Sequence, residues 1–143
     1  MVYVDVRLRE FEKAKLLKEE ELWASAEKVV DLVSQEVLRR IKSYVPVKTG
    51  ELRDSFEREK IGYFQWVVTS KLPRALYLEE GVSSHFIEAK RAKYLRFEKE
   101  GEVHFAKRVW HPGFLGRRYV ERAVDDMVWY APQIVVKAFS GVL

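Results

Sequence analysis

Leu22, Ala26, Val29, Val30, Val33, Val37, Ile41 and Tyr44 follow one another at three- and four-residue steps, which places them on one face of a helix. A helix from about Glu19 to Ser43 is roughly 38 Å long at about 1.5 Å per residue, enough to lie across a whole sheet. Glu20, Glu27, Lys28, Asp31, Arg39 and Lys42 form the opposite, solvated face. Trp23, Leu32 and Leu38 widen the apolar band. Two readings of that width stay open: a helix buried on several sides by its own chain, or one that also touches a second subunit.

Around this helix the pattern changes to strands. Val2, Val4 and Val6 alternate with Tyr3 and Asp5, as in a short strand that joins its own sheet or a neighbour's. Leu8 to Leu17 carries a first helical pattern. After the long helix, Pro46 disfavours helical backbone at Val45, and Gly50 can take positive φ. Thr49 is placed to cap a short turn, with Glu51 in its first positions. Phe56 to Ile61 and Tyr63 to Ser70 read as a hairpin turning near Gly62. Ala75 to Gly81 fits a short strand or a helical turn, and Val82 to Lys93 reads as a long loop. Tyr94 to Glu98 and Val103 to Trp110 form a second hairpin turning at Glu100-Gly101-Glu102, closed by His111-Pro112-Gly113. Gly116 to Ala131 is a second helix, which Pro132 is expected to kink or end. The apolar tail from Gln133 to Leu143 is expected to dock on its own core or on a partner.

The expected fold is therefore α+β, in one domain over residues 1–143. An antiparallel sheet over about 56–110 is packed by the N-terminal helix (19–43) and the C-terminal helix (116–131). With 48% hydrophobic and 34% charged residues, the balance is that of a globular domain. The absence of cysteine excludes disulfides, thiolate zinc sites and thiol catalysis, and fits a reducing compartment. No apolar run reaches the roughly 20 residues of a membrane span, so a soluble protein used inside a cell, with no membrane partner, is expected.

Candidate chemistry is thin. His85, His104 and His111 have no metal-ligand spacing, so no metal and no cofactor are expected. Ser83-Ser84-His85 lacks any sign of an oxyanion hole, and Glu79-Glu80 and Asp125-Asp126 are paired in sequence only. No catalytic residue is assigned. The charge distribution is more informative than the net +4: Ser84 to Arg122 holds ten basic and five acidic residues, leaving the remainder at −1. Lys90, Arg91, Lys93, Arg96, Lys107 and Arg108 are interleaved with Tyr94, Phe97, Phe105, Trp110 and Phe114. That mixture fits a surface facing nucleic acid, where charge attracts phosphate and rings stack on bases. It equally fits aromatics turned to a core with the charges outside.

In order along the chain, Pro46, Thr49, Gly50, Leu52 and Ser55 spell a Pro-x-x-Thr-Gly-x-Leu-x-x-Ser signature, Tyr77, Glu79, Glu80 and Gly81 an aromatic-to-acid-to-glycine segment, and His111-Pro112-Gly113 a closing turn. The chain resembles the tail-completion or neck proteins that join head and tail in long-tailed phages and prophages, over roughly Leu22 to Val124. Phe114-Leu115-Gly116-Arg117-Arg118-Tyr119 departs from the family's usual Pro-Phe-Leu lead into the last helix.

The resemblance implies a virion protein without catalytic activity, made in the host cytoplasm, that assembles as a ring and contacts other tail or connector proteins. The apolar helix face, the terminal strand and the apolar tail are then the expected ring surfaces. The loop from Ser84 to Lys93 would face passing DNA or an acidic partner. A nucleic-acid-binding module using Ser84 to Arg122 is the alternative.

Overall fold

The computed structural model describes residues 1–7 and 19–140, so the helical pattern expected over Leu8 to Leu17 and the last three residues lie outside the described residues. The elements are β1 (Val2–Arg7), α1 (Glu19–Tyr44), α2 (Glu51–Asp54), β2 (Phe56–Gly62), β3 (Gln65–Ser70), α3 (Pro73–Glu80), β4 (Gly81–Val82), β5 (His85–Glu88), β6 (Leu95–Lys99), β7 (Glu102–Ala106), β8 (Arg108–His111), β9 (Phe114–Leu115) and α4 (Tyr119–Phe139). The α+β reading holds, with antiparallel pairing throughout.

The long helix α1 is the centre of the packing. Leu22, Ala26, Val29, Val30, Val37 and Ile41 are buried along its expected stripe. One side rests on the β1-β3-β2 sheet and another on α4. That double contact accounts for the wide apolar band: Leu32, Val33 and Leu38 pack against the same core, and the Trp23 ring lies 5.5 Å from that of Phe64. Ser34 is fully buried on α1, donating to Asp31 O (2.7 Å) and accepting from Arg58 of β2 (2.9 Å), so helix and sheet are joined by polar as well as apolar contacts.

Expectation and structure differ at several places. The sheet expected over about 56–110 is three-stranded, and β1 joins it by pairing with β3 from Val2↔Ser70 to Arg7↔Gln65. Residues beyond Gly81 form separate two-stranded ribbons. The segment from Ala75 is helical, because Pro73 sits in the first turn, where a missing amide costs nothing. The expected loop from Val82 to Lys93 contains β4 and β5.

Pro132 neither ends nor breaks α4. Its ring is solvent-exposed, and the carbonyl it leaves without a helical donor belongs to Val128, also exposed, so water can take the donor's place. The tail thus continues the helix, burying Ile134 and Ala138 while leaving Val135 and Val136 exposed.

Candidate functional site

The connector that follows α1 is locked from within. Gly50 takes positive φ (84°) at the start of α2 and occupies the cap position itself, with no side-chain cap. Thr49, expected to cap the turn, accepts only a long 3.4 Å bond from Glu51 N, because the left-handed residue after it shifts the helix start by one position. Ser55 Oγ donates to Leu52 O (2.6 Å), which leaves Ser55 to accept from Ser70 Oγ (2.7 Å) while Leu72 N donates to Ser70 (3.2 Å). This relay fastens the connector to β3 and to the start of α3. Leu52 is buried, whereas Pro46 and Thr49 line a shallow pocket of about 100 Å³ with Leu78.

Tyr119, the first residue of α4, ties the connector to the second motif. It is buried, packs edge-on against Phe56 (6.0 Å) and donates its hydroxyl to Ala75 O (2.7 Å). Burial first, and the Glu79 charge second, push its phenol well above the usual range. Glu79 caps α4 from a distance in sequence, accepting from Val120 N (2.9 Å) and Glu121 N (3.0 Å). Two otherwise orphaned amides are satisfied and a negative charge sits at the positive end of the helix dipole. In the sequence Glu79 looked like half of a solvated acidic pair. A carboxylate several dozen positions before a helix start carries no local signal of capping.

Gly81, Gly113 and Gly116 form the root from which residues 85–111 leave the core. A Cβ on Gly81 would lie 2.5 Å from Gly116 N and 2.6 Å from Phe114 O, and one on Gly113 or Gly116 would overlap the backbone of Val82 or Glu79. The β4–β9 pairing (Gly81↔Leu115, Val82↔Phe114) holds these segments together, so the Gly81 and His111-Pro112-Gly113 motifs meet here. Of the other motif residues, Tyr77 and Glu80 are exposed on α3, and Pro112 is exposed beside the root. His85 and His111 are register partners with stacked rings 5.1 Å apart. Their Nδ1 atoms are engaged by Ser83 O (2.8 Å) and Gly113 N (3.1 Å), which ties both rings into the turn. No metal-binding cluster occurs among the described residues, and no described helix is long and apolar enough to cross a membrane.

Beyond the root, β5 pairs with β8 and β6 with β7, giving a two-tier arm. Glu102 to His111 spans about 33 Å at about 3.3 Å per residue. Ala89 N still bonds Lys107 O (3.0 Å), but Leu95 pairs with Ala106, so residues 90–94 bulge out between the tiers. The bulge gathers the basic candidates into a band: Lys90, Arg91 and Lys93 lie in it, Lys107 faces it at the strand break, and Arg96 and Arg108 flank it. Arg108 is paired with Glu88 (3.3 Å) over the Phe86 ring, and Lys93 lies over the Tyr94 ring.

The reading that turned these aromatics to a core fails. Tyr94, Phe105, Trp110 and Phe114 are exposed, as are Phe86 and Leu115; Phe97 is half-buried and stacks on His104 (5.6 Å); and no residue between Gly81 and Arg118 belongs to the buried core. The strands of the arm pack on each other, and no core residue among the described ones covers them.

Residues 11–81 match the family model HK97-gp10_like, described as "Bacteriophage HK97-gp10, putative tail-component". The match bears out the family resemblance, includes the Pro46 to Ser55 signature and the Tyr77 to Gly81 segment, and stops where the arm begins. No curated protein and no solved structure matches the chain.

Proposed function

We propose that this chain, a member of the phage tail-component family over residues 11–81, is a non-enzymatic structural protein of the tail or head-tail junction that assembles as a ring through subunit contacts. It works as one domain in the virion, is assembled in the host cytoplasm, and contacts other tail or connector proteins. The observation that carries the assembly is the uncovered arm. A two-stranded ribbon is marginal in water by itself, and this one exposes Phe86, Phe105 and Trp110, with nothing among the described residues to bury them. An apolar surface of that kind marks an interaction site.

Of the ring surfaces expected from sequence, the α1 face packs on α4 and the sheet, whereas β1 pairs with β3 along one side and lies at the edge of the sheet. The arm and the exposed side of α4 join β1 as candidates. Sedimentation velocity over rising protein concentration tests the reading: a discrete oligomer supports it, and a monomer throughout opposes it.

The nucleic-acid-binding alternative is favoured by Lys90, Arg91, Arg96 and Lys107, which have no acidic partner among the described residues. Affinity for duplex DNA would then fall by about 0.9 log units per log unit of salt for each phosphate neutralised. Absence of binding at low salt disposes of that alternative.

A further inference from the structure

The outer face of α4 is the second large uncovered surface. Val128 (69% exposed), Trp129 (85%) and Val136 (70%) lie along it around Pro132. Toward the N-terminal end, helical spacing puts Glu121 and Asp125 on the same side. Glu121 is bonded to Arg118 (2.8 Å), whereas Asp125 has no partner among the described residues.

We propose that the arm of one copy lies along this outer face of α4 of a second copy, a contact that rests on the ring reading above and specifies its two surfaces. Charge is complementary: residues 85–111 hold seven basic and four acidic side chains, and the α4 face offers carboxylates beside its apolar stripe. Length is compatible, since α4, with 21 residues, spans about 32 Å and Glu102 to His111 reaches at most about 33 Å when fully extended. The chain's own α4 is not the occupant, because within one copy the aromatic residues of the arm and the α4 stripe both remain exposed. The two surfaces differ, so each copy gives its arm to one neighbour and its α4 to the other, the heterologous arrangement that closes a ring when the rotation fits.

The cysteine-free sequence permits a direct test with the full chain. Phe105→Cys on the arm and Val128→Cys on α4 are both at exposed positions, and Glu57→Cys on β2 is the collision control. After mild oxidation, the Phe105→Cys and Val128→Cys mixture should give at least about tenfold more linked dimer than either variant alone or either mixed with the control, because a disulfide needs Cα atoms within about 7 Å. Arm-to-arm links in Phe105→Cys alone, or a mixed yield at the control level, overturn the proposal.

Native mass spectrometry of the unaltered chain separates the two possible failures. Assembled copies without the arm-to-α4 link mean that another surface joins them, and the ring reading stands. A monomer at every concentration removes both. Duplex DNA bound by the unaltered chain and released by Lys90→Glu with Arg91→Glu, together with a control-level yield, assigns the arm to nucleic acid instead.

Discussion

Gly81→Ala probes the root of the arm most sharply. Gly81 adopts φ 88° and ψ 177°, a region open essentially to glycine, so a side chain there costs of order 1–3 kcal/mol in strain. The added Cβ would also lie 2.5 Å from Gly116 N, 2.6 Å from Phe114 O and 3.0 Å from the Leu115 carbonyl carbon. These are backbone atoms set by the β4–β9 pairing and cannot turn aside as a flexible side chain would. Overpacking of that kind adds about 1–3 kcal/mol.

The total of about 2–6 kcal/mol corresponds to a fall in Tm of about 6–18 °C, at about 3 °C per kcal/mol for a chain of this size. Gly101→Ala is the matched control: it shares positive φ (82°) but has nothing within 4 Å, so it loses only the strain, about 1 kcal/mol and about 3 °C. Differential scanning calorimetry reads both, and amide exchange at Phe114 and Leu115 detects a loss confined to the root. Equal losses in the two variants would refute the close-approach argument and leave strain as the sole reason for glycine at position 81.

Three further outcomes are expected. Glu79→Ala removes both acceptors from the start of α4 and should cost about 1–2 kcal/mol in urea denaturation, with faster amide exchange at Val120 and Glu121. Tyr119→Phe removes the buried hydroxyl's bond to Ala75 O and should cost about 0.5–1.5 kcal/mol. Because burial raises the Tyr119 phenol, its contribution is complete below the unfolded-state value near 10 and is lost as pH rises toward the folded-state value, so the native chain should lose stability above about pH 10 while Tyr119→Phe loses less. Pro132→Ala restores the amide to Val128 O and should stabilise α4 by up to about 3 kcal/mol, seen as a higher Tm.

The parts legible in the sequence are those whose signal is local. The stripe on α1 and the break at Pro46 to Gly50 are written in consecutive residues, and both α1 and the turn at Gly50 were found. What the sequence concealed depends on distant partners. Gly81 needs to be glycine because of the backbone at Phe114 to Gly116, Gly116 because of the backbone at Glu79 and Glu80, and Glu79 caps a helix some forty positions away. Pro132 does not end α4, because the carbonyl it leaves without a helical donor belongs to the exposed Val128, where water can take the donor's place.

The aromatic residues of the arm misled for a related reason. Alternating aromatic and charged residues describe a ribbon with one covered face, and nothing in their order says that no described residue of the core supplies the cover. The family match ends at Gly81, and the arm and α4 lie beyond it.

Negative-stain electron microscopy of the concentrated full chain tests the central claim most directly. The account predicts closed rings of one size, with copies related by rotation and the arm of each reaching its neighbour. Monomers at every concentration, or two-fold dimers that bury the same surface on both copies, would contradict it.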